Sequence, residues 1–202
     1  TVASLTPACS AMSDSRALGF SLTTVSLGGR DRLAGSGPPP AQAWQAAPVR
    51  LTGSLDEPEL AFLPWDVPLE QWPDDLVVAL PRGISRHIVR FVRLNGVVYA
   101  VKEVEEHYAE REYELLFDLV RRGLPTVEPV GIVLDRSDAT GEPLPAGLIT
   151  RHLEFSLPYR ALFSSSLRLE TANRLLDALA VLIVQLHLAG FSWNDVSLSN
   201  TL

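Results

Sequence analysis

Ile88-Val89-Arg90-Phe91-Val92-Arg93-Leu94-Asn95-Gly96-Val97-Val98-Tyr99-Ala100-Val101-Lys102 decides how this chain folds. Both halves are rich in β-branched and aromatic residues, and the Asn-Gly between them is the strongest short hairpin signal, because the tight turn needs two residues that tolerate positive φ. The reading is a strand from Ile88 to Leu94 and a returning strand from Val97 to Lys102. A two-residue turn pairs Leu94 with Val97, which sets Phe91 opposite Ala100 and Val89 opposite Lys102. Alternation puts Val98, Ala100 and Lys102 on one face. That face has room for a flat ring and ends in a positive charge. The plainer reading of Lys102 is a strand-end lysine whose stem covers apolar surface while its head reaches water.

Lys102 also stands out in composition. It is the only lysine among 17 basic residues, the rest being arginine. An ammonium is a compact point charge that meets phosphate without the fork geometry a guanidinium demands.

Working outward, Leu76 to Leu80 reads as a strand preceding the hairpin, with Pro81 to His87 as a loop containing Gly83. Three antiparallel strands result. Beyond the hairpin, Glu105 to about Arg122 reads as a helix, with acidic residues at its start, arginines at its end, and Gly123 and Pro125 to stop it. Its apolar stripe is Tyr108, Leu115, Leu116 and Leu119, and the position that completes the spacing is Glu112. A glutamate in a buried stripe must be paired or neutral, and Lys102 is the nearest candidate in sequence; a stripe-margin glutamate reaching solvent is the alternative. Val127 to Leu134 and Ala146 to Arg151 read as two more strands around a polar turn, and His152-Leu153-Glu154 leaves the sheet. A short helix is expected at Tyr159 to Phe163. A long one is expected at Leu167 to Leu188, with Leu175, Leu176, Leu179, Leu182, Ile183 and Leu186 buried and His187 packed or capping. Trp193-Asn194-Asp195 and Asn200 follow as an Asp-x4-Asn element just past that helix. As a bare pattern it reads first as a surface turn after a helix.

Residues 1 to 48 are rich in Ser, Gly, Ala and Pro and carry no sustained period, so a disordered low-complexity tail is expected. Residues 49 to 75 read as an extended acidic segment with Pro58, Pro64, Pro68 and Pro73 between Trp65 and Trp72, the tryptophans anchoring it to the chain's own surface. The single cysteine, Cys9, excludes an internal disulfide and fits a reducing compartment. A net charge of -7 argues against nucleic acid as the main partner. The longest apolar run, Ala178 to Val184, is too short to span a bilayer. No signal peptide is visible, and a cytoplasmic setting is expected. The start at Thr1 and the stop at Leu202 suggest a fragment.

Taken together, the order of elements resembles a protein-kinase-like fold: strands, a lysine strand, a helix with a striped glutamate, two strands, a long helix, then Asp-x4-Asn. Tyr99-Ala100-Val101-Lys102 looks like the Val-Ala-Ile-Lys strand of that family. Arg111-Glu112-Tyr113, Gly123-Leu124-Pro125 and Trp193-Asn194-Asp195 are similar to phrases of the bacterial lipopolysaccharide (Kdo) kinase-like families. Gly83-Ile84-Ser85-Arg86-His87, Ser156-Leu157-Pro158-Tyr159-Arg160 and Ser197-Leu198-Ser199-Asn200 look like a bacterial kinase-like family of undetermined function.

The resemblance implies an α+β fold with a kinase-like N-lobe and hinge over 76 to 154. The start of a helical C-lobe would follow over 155 to 202, cut after the catalytic loop. It implies ATP and Mg2+ as cofactors. Lys102 would hold the α/β-phosphates and pair with Glu112. Ala100 would roof the adenine, Leu202 would floor it, and Ser85 and Arg86 would hold phosphate. Asp195 would be the catalytic base and Asn200 a magnesium ligand. The partners implied are a nucleotide and an unidentified hydroxyl-bearing acceptor. Gly83 is the only glycine of its loop, no arginine precedes Asp195, and Ser197 stands where protein kinases carry a lysine. These departures favour a glycan or small-molecule acceptor over protein. The alternative is a pseudokinase, a nucleotide- or partner-binding scaffold without catalysis; a plain α+β interaction domain is a third reading. A further metal ligand would lie past Leu202, so the fragment is expected to be inactive alone.

Overall fold

The computed structural model describes residues 5–7, 23–26, 49–53, 58–80 and 87–202. The hairpin forms as its sequence dictates. Strands β4 (Val89–Leu94) and β5 (Val97–Val104) pair antiparallel with Leu94 opposite Val97, Phe91 opposite Ala100 and Val89 opposite Lys102. Asn95 and Gly96 both take positive φ, 48° and 84°, as the tight turn requires.

Helix α1 (Glu106–Arg121) follows β5 almost at once. Strands β6 (Pro129–Leu134) and β7 (Ala146–Arg151) come next, then α2 (Tyr159–Phe163), α3 (Leu169–Leu188) and the short β8 (Phe191–Trp193). Upstream lie β1 (Leu5–Pro7), β2 (Thr23–Ser26) and β3 (Arg50–Gly53). The fold is α+β. Five strands, in the order β3-β6-β7-β5-β4, form an antiparallel sheet that the short β2 extends at the β3 edge, while β1 pairs separately with β8. The tail expected to be disordered therefore contains strand residues at 5–7 and 23–26, which complete open edges by backbone hydrogen bonding; its other residues up to 48 lie outside the described residues.

The sheet is covered on both faces, and the pleat sorts the core. Toward α1 point Val104, Ile132, Leu134 and Leu148, which meet Ala109, Tyr113, Leu116 and Leu119 of the helix. Toward the other face point Tyr99, Val101, Val133 and Ile149, which meet Leu60, Leu63, Trp65, Leu69 and Trp72. Double coverage explains why every residue of β6 is buried and why it reads as an unbroken apolar run.

The cover on that second face is the acidic Trp/Pro segment. The expected extended conformation is met in β3, but from Pro58 the segment folds into 3-10 turns at Pro58–Phe62 and Leu69–Gln71. Its prolines fix φ near the helical range and break any longer hydrogen-bond ladder. The anchoring role of the tryptophans holds. Trp65 and Trp72 are buried edge to face, their centroids 5.3 Å apart, and their indole N–H groups donate to Leu60 O and to Pro64 O and Val67 O.

Three other expectations are corrected. Leu76 to Leu80 is not a strand: a turn brings the Leu76 N–H to Pro73 O, after which only Val77 bridges Val92 and the Val78 N–H donates to Phe91 O. The chain touches the β4 edge at one point and leaves it. On α1, Tyr108 is 54 % exposed and Tyr113 is buried in its place, because the buried face runs through Ala109, Tyr113 and Leu116 and leaves position 108 at its margin. On α3, only Leu186 of the expected apolar side is buried; Leu175, Leu179, Leu182 and Ile183 are half-buried and Leu176 is exposed. His187 is exposed, not packed. Helix α3 touches the core through its last two turns only, where Leu182 and Leu186 reach Phe191 and the α1 side. By length and composition it is also long and apolar enough to cross a membrane, which the seven-residue run within it did not suggest.

Candidate functional site: a buried lysine–glutamate pair

Lys102 lies on an inner strand of the sheet with β4 and β7 on either side. Glu112 lies in α1, which packs across that face. The Lys102 Nζ donates to Glu112 Oε1 at 2.8 Å and Oε2 at 2.6 Å. The two side chains are only 10 % and 13 % exposed, so the pair is a buried one. The striped glutamate is paired, and the strand-end lysine does not reach bulk water. Burial pushes the Glu112 carboxyl up, and the charge and hydrogen bonds of Lys102 draw it back only in part.

The reverse face of the same strand carries a second buried pair. Glu103, one residue along, points away from α1, and its Oε1 accepts from Arg136 Nη1 at 3.1 Å and from the Leu69 N–H at 2.9 Å. The Arg136 side chain is fully buried and also donates to Trp65 O, Val67 O and Pro145 O, with its guanidinium 5.7 Å from the Trp65 ring. Burial lowers the Arg136 pKa, and Glu103 opposes that. This network fastens the tryptophan segment beneath Lys102. The sequence carries one signal for it: Glu103 sits on the inward-facing side of a strand covered on both faces. Nothing local marks Arg136 as its partner.

Asp195 and Asn200 sit together in a loop closed by its own hydrogen bonds. The Asn200 Nδ2 donates to Asp195 O at 2.6 Å, while Asn200 Oδ1 accepts from the Ser197 N–H at 2.8 Å and the Ser197 hydroxyl at 2.6 Å. Helix α2 clamps the loop from outside: the Tyr159 N–H donates to Thr201 O, the Arg160 N–H to Leu198 O, and Arg160 Nε to Ser199 Oγ. The Asp195 side chain is exposed. Among the described residues, no hydrogen bond or ion pair joins this loop to Lys102 or Glu112.

The amide oxygen of Asn200 thus uses both lone pairs on Ser197, which leaves none for a metal ion. In this arrangement Asn200 could take the expected magnesium only by releasing Ser197. Ser85 and Arg86 lie outside the described residues. Ala100 is half-buried beside Lys102, and Leu202 lines a cavity whose walls include neither of them. At the expected hinge, the His152 N–H donates to Val98 O and its ring stands edge to face on Phe91 at 5.2 Å. Burial lowers the His152 pKa against the pull of Glu154.

No family model, curated protein or solved structure matches the chain.

Proposed function

We propose that this chain carries the nucleotide-holding and acceptor-activating parts of an ATP-dependent phosphotransferase acting on a hydroxyl group, with a glycan or small molecule as the acceptor class. The observation that carries the reading is Lys102 held by Glu112 on the inner face of the sheet. A salt bridge of this burial is a poor way to gain stability, since desolvation of both ions offsets most of their attraction. Its use is to hold an ammonium at a fixed point. Two of its three protons are committed to Glu112, and the third, which meets no acceptor among the described residues, would meet a phosphate oxygen. Phosphoryl transfer needs positioning and charge compensation more than covalent chemistry, so a fixed cation and an exposed carboxylate make an economical apparatus. Asp195 is that carboxylate, free in this role to orient and deprotonate the acceptor hydroxyl. The kinase-like lobe arrangement belongs to the same proposal.

The second reading, a nucleotide-binding scaffold without catalysis, is favoured by the closed Asn200 side chain. Calorimetric titration with ATP tests both. Lys102→Ala should weaken ATP at least tenfold, and unaltered affinity refutes the nucleotide assignment. Asp195→Asn should leave affinity unchanged and remove phosphoryl transfer to acceptor. Both transfer assays use the intact protein, where nucleotide binding with no transfer under any metal condition selects the scaffold.

A further inference from the structure

Arg160 is fastened to the loop that carries Asp195, yet its charge is left unmatched. Its backbone N–H donates to Leu198 O and its Nε to Ser199 Oγ, both at 2.7 Å. The Nε bond fixes one edge of the guanidinium. The other edge, formed by Nη1 and Nη2, meets no acceptor among the described residues. Neither Arg160 nor Asp195 forms an ion pair among those residues, although both are exposed. They are close in the fold. Four residues of extended chain span about 14 Å at most, and the Asn200 bond to Asp195 O folds the run from 195 to 199 back on itself. With Arg160 tied to Ser199, the two opposite charges stand apart and open to solvent. Helix α2 and residues 194 to 202 contain no other basic residue.

We infer that Arg160 selects the acceptor: its free edge takes a carboxylate or phosphate carried by the same molecule whose hydroxyl meets Asp195. The inference rests on the phosphotransferase reading for the role of Asp195, and narrows its acceptor to an anionic one. The Nη1/Nη2 edge offers two parallel N–H donors that match two oxygens of such a group. Tying Nε down beforehand reduces the side-chain freedom lost when the anion binds. The need for a fixed cation is electrostatic. The chain carries a net charge of -7, and Asp195 itself repels an anion, so an anionic acceptor reaches this loop only where a local positive charge offsets both. A neutral acceptor gains nothing from Arg160.

The test titrates the whole chain, labelled with 15N, with glucuronate, glucose 6-phosphate, glucose and inorganic phosphate at constant ionic strength. The Arg160 Nε–H resonance, identified by its loss in Arg160→Gln, reports the contact, and the Asn200 backbone resonance follows binding in every variant. At least one anionic sugar should move both resonances to a plateau at millimolar concentration, and the tighter of the two tells carboxylate from phosphate. Glucose should not, and inorganic phosphate should bind at least fivefold more weakly than the better sugar. Arg160→Gln should weaken that sugar at least tenfold, the worth of a charge-assisted pair. Because this change also loosens the clamp on the loop, Ser199→Ala is the second variant: it keeps the charge, frees Nε and should weaken the sugar about fivefold. Asp195→Asn should tighten it by removing the repulsion. The inference is overturned by resonances that neither sugar moves, by equal binding of inorganic phosphate, or by undiminished binding to Arg160→Gln. It is also overturned if Arg160→Gln weakens ATP and not the sugar, which assigns Arg160 to the nucleotide. Lys102→Ala should leave the sugar titrations unchanged, so failure of the nucleotide assignment is read separately.

Discussion

Replacing one or both members of the Lys102–Glu112 pair separates its role in stability from its role in positioning. At about 2.7 Å, with an effective dielectric constant of about 20, the attraction between the two charges is about 6 kcal/mol. Each ion gives up several kcal/mol of hydration to reach its site, so the net worth of the intact pair is near zero. Glu112→Leu leaves the Lys102 charge buried without a partner and should cost about 3–5 kcal/mol at pH 7. Lys102→Met should cost a similar amount at pH 7, but its cost must depend on pH. Burial already raises the Glu112 pKa above 4.5, and removing the lysine takes away what held it down. Between the unfolded value and the raised folded value the native state binds the extra proton. Stability is therefore fully present below the unfolded value and is lost as pH rises through the folded one. Acidifying Lys102→Met from neutrality toward the ordinary carboxylate range should restore much of what the substitution cost. Lys102→Met/Glu112→Leu should lie within about 1 kcal/mol of wild type, because both desolvation costs disappear with the attraction. Urea denaturation followed by circular dichroism gives the four corners of the cycle. The double variant measured at each pH removes the contribution of other carboxylates. Costs that add to within about 0.5 kcal/mol would refute the coupling, and a Lys102→Met variant that weakens on acidification would refute the assignment of the proton to Glu112.

Arg136→Met should cost about 3–5 kcal/mol by stranding Glu103, and should shift tryptophan emission to the red as the segment over Trp65 and Trp72 loosens. Arg136→Lys should rescue little, since one ammonium cannot span the carbonyls of Trp65, Val67 and Pro145 together with Glu103. An unmoved emission maximum in either variant contradicts the anchoring role. Gly147→Ala places a methyl group 2.9 Å from Trp65 Cζ3 and should cost about 1–3 kcal/mol, read as a lowered Tm. An unchanged Tm would show that the tryptophan is not packed against β7.

The parts of this fold that were legible in the sequence are those fixed by local chemistry or by strict periodicity. Asn95-Gly96 admits one turn geometry, so the register of β4 and β5 and the face of Lys102 followed to the residue. The spacing around Leu115, Leu116 and Leu119 turns Glu112 inward, and α2 spans the Tyr159–Phe163 that its sequence predicts. What could not be read depends on partners distant in sequence. Arg136 is indistinguishable from a surface arginine until the segment some seventy residues earlier covers it. Leu76 to Leu80 has strand composition, but a strand needs a continuous partner edge, and here the partner is met at a single bridge. On α3 the apolar residues run around most of the helix, so periodicity did not say which would be covered, or that only the last turns would be.

The two halves of the candidate site are held by different kinds of force, and this bears on what each can do. The lysine–glutamate half is fixed by the core on both faces of β5, with α1 above and the Arg136 network below, and moving it means disturbing either. The aspartate–asparagine half is fixed by hydrogen bonds spanning three to five residues and by the end of a one-turn helix. Each such bond is worth about 1 kcal/mol net, so freeing Asn200 Oδ1 from Ser197 costs about 2 kcal/mol. A cation that took that oxygen would bind about thirtyfold more weakly than to a loop already open. That cost is small enough for a bound nucleotide's phosphates to offset and large enough to keep the loop shut without them. On the proposed reading, the nucleotide-holding half is thus preformed, Asp195 stands open, and the Asn200 oxygen is the one group that a ligand must free.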